Sequence, residues 1–285
     1  MREKILNLLE EKGMLPPLPD TVLRIQKMVN SHDTGIKEIA SVIEIDPALA
    51  GRILKLANSP FYSRSTSQIS TLPVAITKIG LNTLVKIVYS LKMTSLFTDK
   101  SVLDNSQFWR HSLAVAIFTQ SLSRKIKCSK EEQDIIYLAG LMHDIGIMVF
   151  TYLITDEYSD FLENGPDDEK ALYEQEMNTF DIDHAEAGSL FIEKWWEMDE
   201  RVSQAVRHHH SSSQDHDKNT LLEKLVQLAN DICNDQGITN GTNFIPQAVR
   251  EETWEELNIS QNEAENIITE VQSALEQAEG MIGML

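Results

Sequence analysis

The chain has 285 residues, of which 44 are acidic and 25 are basic, so its formal net charge is −19. Hydrophobic residues make up 42% of it, which supplies a sizeable core and excludes an intrinsically disordered chain. So negative a surface repels phosphate backbones, and DNA or RNA is therefore not expected as the main partner.

The amino-terminal third predicts short helices separated by proline and glycine. A first helix spans 5–11, and the proline-rich segment 15–19 that follows it predicts an extended strap. Asp46-Pro47 predicts a helix start, because aspartate is a good N-cap and proline suits the first helical position. Pro73 begins another helix, which Gly80 ends before the next one.

The rest of the chain also predicts helices. Ser129–Glu132 and Asp183–Glu186 have the pattern of residues that cap helix starts, and Ser260–Glu263 caps the last helix. A polar loop at 210–219 precedes a further helix. Convincing β alternation and hairpin signals are missing, so we expect an all-α fold.

The polar, charged segment 98–106 predicts a division of the chain. We expect residues 1–100 to form an amino-terminal helical subdomain and residues 101–285 a carboxyl-terminal one that packs with it. The last helix, 260–279, carries an apolar stripe that favours packing on its own domain, and a dimer interface is the alternative.

The sequence predicts a cytoplasmic protein without a membrane partner. No apolar run approaches the ~18 residues of a membrane span, and residues 1–13 lack the apolar core of a signal peptide. Cys128 and Cys233 have no zinc-type spacing, so we interpret them as reduced, buried thiols.

Histidines and aspartates set against apolar helices are the residues that indicate chemistry. His143-Asp144 directly follows the apolar run 138–142, and Asp231 lies inside the apolar segment 225–232. Buried polar groups need partners, and a metal ion or a buried cation removes the cost of a buried carboxylate.

Further histidines occur at His111, at His184 and at the pair His209-His210. Imidazole and carboxylate together suit zinc, iron, manganese or nickel. For any one of these histidines alone, a structural role is more common than ligation. His208 is interpreted as a neighbour that does not bind metal.

The order of these residues resembles the HD superfamily of metal-dependent phosphohydrolases, and nearly the whole chain resembles its HDOD branch. The resemblance implies an all-helical fold whose carboxyl-terminal subdomain is HD-like. It extends from about residue 15 to residue 275. The motifs that carry it are the segments 15–19, 46–49, 55–62, 75–80, 108–112, 140–146 and 183–188.

The resemblance also implies a metal site with one or two divalent transition-metal ions. In the case of two ions, Asp144 would bridge them. By motif position, the mononuclear ligand set corresponds to His111, His143, Asp144 and Asp231, and the further histidines of dinuclear relatives such as the HD-GYP branch correspond to His184, His209 and His210.

Three departures indicate that groups which handle phosphate are depleted. Gln107 stands where dinuclear relatives have glutamate, and Ile147 stands where active phosphodiesterases have lysine. The segment 211–216 lacks the acidic and glycine-rich pattern of cyclic-di-GMP phosphodiesterases. Arg207 could contact a phosphate, although an ion pair is its favoured role.

Two functions remain open. One is an HDOD module of signal transduction that keeps the metal site without robust phosphodiesterase turnover; its expected partners are signalling proteins. The alternative is a metal-dependent phosphohydrolase acting on a nucleotide or cyclic dinucleotide, and a small phosphorylated ligand is a candidate partner in either case. A nucleic-acid binder is the least favoured class.

Overall fold

The computed structural model describes most of the chain, and the described residues are helical with connecting turns and no strand. They are residues 1–11, 15–31, 34–58, 68–93, 96, 103–164, 170–196, 198–210, 220–242, 244, 254 and 257–282, with backbone only for 276–282. The predicted all-α fold is confirmed. The motif residues 59–62 and the segment 211–216 lie outside the described residues.

Helix packing divides the chain into two units, residues 18–96 with 273–285 and residues 1–17 with 97–272. The first six helices in chain order are α1 Arg2–Glu10, α2 Asp20–Asn30, α3 Ile36–Glu44, α4 Pro47–Ala57, α5 Leu72–Ile79 and α6 Leu81–Met93. Helices α2 to α6 belong to the unit 18–96, and α1 belongs to the other unit. The predicted boundary between residues 100 and 101 stays a prediction.

Local signals explain several helix ends in the unit 18–96. Asp46 caps α4 by accepting a hydrogen bond from Leu49 N at 3.0 Å, and it also pairs with Lys92. Gly80 has φ of +85°, and α5 and α6 meet there at a bend of 106°. Helix α3 is not among the predicted elements, because its N-cap is Gly35, which has no side chain to form a cap.

The unit formed by residues 1–17 and 97–272 carries the site residues. Helix α1 spans 2–10 rather than the predicted 5–11, and Arg2 ties it to α12 through Glu186 at 2.7 Å. The later helices are α7 Asn105–Lys125, α8 Lys130–Met142, α9 Ile145–Leu153, α10 Thr155–Asn164, α11 Leu172–Phe180, α12 His184–Phe191, α13 Glu200–His208, α14 Leu221–Asp235 and α15 Gln261–Ile282; a π-helical turn, Ile192–Trp196, follows α12.

Within this unit α8 packs along α7, α9 packs on α12, and α13 contacts α8, α12 and α14. The predicted caps at Ser129 and Asp183 are present: Ser129 forms a full capping box, and Asp183 accepts from Glu186 N at 2.8 Å. These contacts bring the start of α12 and the end of α13 against the α8–α9 junction.

Among the described residues, one helical stretch, Lys130–Leu153, which combines α8 and α9, is long and apolar; the bent pair α5–α6 is comparable only if counted as one span. By length and composition Lys130–Leu153 could span a membrane, with a mean hydropathy of 1.5, so the prediction that no run approaches that length was too strict. However, 89% of its most apolar window is buried inside the fold, as in the core helix of a globular domain. Cys233 is buried as predicted, whereas Cys128 is partly exposed.

Candidate metal centre

The junction between α8 and α9 places a histidine and an aspartate in the core. His143 ends α8, and its Nδ1 donates to Gly140 O at 2.9 Å, so its Nε2 faces away from the helix. Asp144 is the N-cap residue of α9, but its side chain makes no cap hydrogen bond. Both carboxylate oxygens are therefore left for other groups.

The Asp144 carboxylate lies between four imidazoles, two on each oxygen. Oδ2 is 3.3 Å from His143 Nε2 and 3.6 Å from His111 Nε2, while Oδ1 is 3.4 Å from the Nε2 atoms of both His184 and His209. Ligand atoms within 4.8 Å of one another form two groups that share Asp144: His111, His143 and Asp144, and Asp144, His184, His209 and His210. We call these six residues the Asp144 cluster.

Hydrogen bonds on the outer ring nitrogens orient the histidines. His111 Nδ1 donates to Ile238 O and His209 Nδ1 donates to Val206 O, both at 2.6 Å. Because a carbonyl oxygen only accepts, these nitrogens carry the proton, and in the neutral ring Nε2 has a free lone pair. That is the form in which imidazole binds metal ions.

The arrangement of the Nε2 atoms tests whether a metal ion fits. His111 Nε2 lies 3.1 Å from His143 Nε2, although both rings use Nδ1 as the donor, so two lone pairs face each other when both rings are neutral. His209 Nε2 is buried without a hydrogen bond among the described residues. A cation, either a proton or a metal ion, relieves both problems, and the donor set suits a first-row transition metal.

Burial keeps most of these imidazoles neutral. It lowers the pKa of His111 to about 4, and it lowers the pKa of His209 and, more strongly, of His210. Burial alone would raise the pKa of Asp144, but attraction to His143 and hydrogen bonds from His143 and His184 hold it well below its usual range. The cluster therefore combines an ionised carboxylate at Asp144 with neutral nitrogen ligands at His111, His209 and His210.

His184 differs from the other histidines of the cluster because a second carboxylate contacts its outer ring nitrogen, Nδ1. Its Nδ1 donates to Glu176 Oε2 at 2.6 Å, and Glu176 is fully buried on α11. Burial would lower the pKa of His184, yet the attraction of Glu176 and the bonds to Asp144 raise it well above the usual value. A histidine that donates its outer N–H to a carboxylate is a strengthened metal ligand.

The metal-free protein is expected to lose stability as the pH falls from about 6.5 to about 4. In this window the unfolded histidines take up protons, whereas folded His111, with a pKa of about 4, does not. Each such proton lowers the free energy of unfolding by about 1.4 kcal/mol per pH unit. The raised pKa of His184 makes the free energy of unfolding depend on pH only above this window, and the lowered pKa of Asp144 does so only below it.

Urea unfolding in the presence of a chelator, at several pH values across the window, measures this slope. His111→Gln is expected to make the slope shallower, since it removes one of the groups that bind the extra protons. A stability that is constant or rises as the pH falls would contradict the prediction.

Six of the seven predicted site residues lie in the Asp144 cluster. The seventh, Asp231, is buried on α14 at 2% exposure but belongs to neither group, so its role as a ligand stays a prediction. Glu176 was missed; it lies one turn from Leu172 and from Phe180, on the buried face of α11. That spacing is the signal that could have identified it.

Two of the three departures noted in the sequence, and Arg207, lie in the described part of the chain. Ile147 is fully buried in α9, Gln107 is exposed beside Gly241, and Arg207 pairs with Glu186 at 3.5 Å. An open cavity leads to the cluster, and Asp144 lies in its wall. The described residues that line it include asparagines, threonines and aromatic side chains but no lysine or arginine.

Solved structures share this fold over nearly the whole chain. An HDOD domain protein of unknown function from Geobacter sulfurreducens is 24% identical, with a TM-score of 0.79 over 98% of this chain and 96% of that one. A protein of Shewanella amazonensis SB2B, provisionally named a phosphohydrolase, is 20% identical, with a TM-score of 0.74 over 99% and 98%. A protein of Marinobacter aquaeolei VT8, provisionally named a signal transduction protein, is 18% identical with a TM-score of 0.73 over 99% and 65%.

Sequence comparison gives the family. An uncharacterised protein of Treponema pallidum (strain Nichols) is 24% identical over 219 residues, which are 76% of this chain. The chain spans only 41% of the length of that curated relative. The HDOD domain profile matches residues 15–212, more than half of the chain. The chain therefore belongs to the HDOD family.

Proposed function

We propose that this chain is an HDOD signalling module that holds one or two divalent transition-metal ions in the Asp144 cluster. The observation that carries the proposal is the pair of Nε2 atoms of His111 and His143, 3.1 Å apart and both directed to Asp144 Oδ2. Buried lone pairs this close need a cation between or beside them. The second group, around Asp144 Oδ1, provides the ligands for a second ion.

A bound ion would supply positive charge that can hold a phosphoryl oxygen or activate water. The chain's own residues would orient it: backbone carbonyls fix the rings of His111, His143 and His209, and Glu176 fixes that of His184. Iron, manganese, zinc and nickel all suit these ligands.

The depleted phosphate contacts support a regulatory role without robust phosphodiesterase turnover. A buried isoleucine at position 147 cannot neutralise charge that develops on a phosphate, as a lysine would. Arg207 is paired with Glu186, and the described cavity lining has no lysine or arginine. The solved relative named as a signal transduction protein supports the same role, with signalling proteins as the expected partners.

Purified wild-type protein is expected to contain about one or two metal ions per chain, since the ligands fall into two groups that share Asp144. His143→Ala and Asp144→Ala are expected to reduce the metal content to the background level, because each removes a ligand from the core of the cluster. Elemental analysis measures the content after purification and after reconstitution with iron, manganese or zinc. His208→Ala is the matched control, because it removes a neighbouring histidine outside both groups.

A wild-type protein that takes up none of these metals would overturn the proposed function. Metal that survives both substitutions would place the site elsewhere in the chain. Loss of metal in the His208→Ala control would show that the effect is not specific to the cluster.

One observation favours the alternative, a metal-dependent phosphohydrolase acting on a nucleotide or cyclic dinucleotide. Asp144 presents its two oxygens to two separate histidine pairs, as a bridge between two ions would. A metal-loaded sample with two ions per chain, tested on a panel of nucleotides and cyclic dinucleotides, separates the two functions. Turnover that Asp144→Ala abolishes would favour the enzyme, and a loaded but inactive protein would favour the regulatory module.

A further inference from the structure

The loop that follows α14 reaches back to the Asp144 cluster at two points. Ile238 O accepts the hydrogen bond from His111 Nδ1, and Asn240 Nδ2 donates to Asp144 Oδ2 at 2.8 Å. The loop therefore contacts two members of the same ligand group, although none of its residues belongs to that group.

The orientation of the Asn240 amide follows from its other contacts. Its Oδ1 accepts hydrogen bonds from Thr242 N at 3.2 Å and from Thr242 Oγ1 at 2.7 Å. Because a backbone N–H can only donate, the oxygen of the amide must face Thr242, and the NH₂ group faces Asp144. Between them Gly241 adopts φ of +82°, which an L side chain rarely adopts, so the tight turn depends on glycine.

We propose that Asn240 is a positioning residue that fixes the rotation of the Asp144 carboxylate for metal binding; this inference rests on the proposed function. Asp144 makes no helix cap, so nothing on its own helix holds its plane. The Asn240 hydrogen bond on Oδ2 directs that oxygen toward His111 and His143 and thereby directs Oδ1 toward His184 and His209. Outer hydrogen bonds of this kind hold metal ligands in their binding geometry.

The proposal predicts a graded effect on metal affinity. Asn240→Ala is expected to weaken Zn²⁺ binding roughly 10- to 100-fold, the usual cost of losing such an outer hydrogen bond. Thr242→Val, which keeps Asn240 but removes one of its two anchors, is expected to weaken Zn²⁺ binding measurably, by up to about tenfold. Thr242→Ser keeps the hydroxyl and is expected to bind Zn²⁺ like the wild type.

The measurement is a competition titration of Zn²⁺ between the full-length protein and a chromophoric chelator, with urea unfolding of each metal-free variant beside it. A residue with a merely structural role would lower the urea midpoint and leave the Zn²⁺ affinity of the folded protein unchanged. Asn164→Ala is the matched control, because that amide donates to Asp160 O on α10, outside the site.

The outcomes separate this inference from the proposed function. If the wild type binds neither Zn²⁺ nor iron nor manganese, the proposed function fails and the inference fails with it; if it binds iron or manganese instead of Zn²⁺, the same variants are compared with that ion. If the wild type binds Zn²⁺ and Asn240→Ala binds it equally well, only the inference is overturned. Should Asn240→Ala not fold, the Thr242→Val and Thr242→Ser pair decides, and equal affinities of these two would overturn the inference.

Discussion

Gly146→Ala is expected to prevent stable folding and to abolish metal binding, although Gly146 is not a ligand. A β-carbon at this position would lie 1.8 Å from His184 O and 2.8 Å from Gly188 N. Both are backbone atoms of α12, which cannot move aside as the end of a flexible side chain can. We expect a loss of about 3 kcal/mol or more in the free energy of unfolding, at or beyond the upper end of ordinary overpacking.

The substitution would disturb the metal site because Gly146 sets the distance between α9, which follows Asp144, and α12, which begins with His184. Gly146 follows Asp144 by two residues on α9, and the backbone it touches belongs to the first turn of α12, which carries His184. Separating the helices would separate Oδ1 of Asp144 from His184 Nε2, now 3.4 Å apart. The close contact between α9 and α12 therefore explains why a glycine stands at position 146, two residues after Asp144.

Soluble yield, far-UV circular dichroism and urea unfolding check this prediction. Gly51→Ala is the matched control: it lies in α4, and its added β-carbon would meet nothing within 4 Å. That variant is expected to be neutral or more stable by roughly 0.5–1 kcal/mol, because alanine favours a helix more than glycine does. A Gly146→Ala protein with the wild-type midpoint and metal content would contradict the argument.

The fold could be predicted because its signals are local. Asp46-Pro47, Gly80 and the Ser129 capping box each begin or end a helix through contacts within a few residues, and the structure has them where the sequence predicts them. Helix α3 was missed for the same reason, since its start has no capping side chain. Where a boundary depends on local chemistry, the sequence predicts it well.

The core of the site could also be predicted, because a polar pair directly after an apolar run must find partners inside the fold. His143 and Asp144 meet that condition, and the other histidines of the cluster follow from the family resemblance. The contacts of the residues that orient the ligands could not be predicted. The spacing of Leu172, Glu176 and Phe180 indicates that Glu176 is buried, but it does not show what Glu176 contacts. Glu176 and Asn240 reach the cluster only through the approach of α11 and of the loop after α14.

Glu176 is the group whose removal should have the second-largest effect. Its Oε1 accepts from Tyr158 OH at 2.6 Å, and its Oε2 accepts from both His184 N at 2.8 Å and His184 Nδ1 at 2.6 Å. Glu176→Ala leaves these buried donors without an acceptor. We expect it to lower the free energy of unfolding of the metal-free protein by about 3–5 kcal/mol, the range for breaking a buried ion pair.

Two further variants separate the hydrogen bonds from the charge. Tyr158→Phe removes only the bond to Oε1 and is expected to cost about 1.5–3 kcal/mol, with little change in metal affinity. Glu176→Gln keeps the shape but not the negative charge, so His184 becomes a weaker ligand. Metal affinity is expected to fall roughly 10- to 100-fold in this variant, while the fold is retained.

Urea unfolding of chelator-treated protein and Zn²⁺ competition titration measure the two effects on the same samples. The control is Glu174→Ala on the exposed side of α11, where the side chain accepts a hydrogen bond from Ala171 N and its loss should cost no more than about 1 kcal/mol. If Glu176→Ala were as stable as this control, the buried carboxylate would not hold α11 against α12. If Glu176→Gln bound Zn²⁺ as tightly as the wild type, its charge would not act on the metal through His184. If Glu176→Ala lowers the free energy of unfolding and Glu176→Gln lowers the Zn²⁺ affinity, as expected, one carboxylate determines both the stability of the fold and the metal affinity of the site.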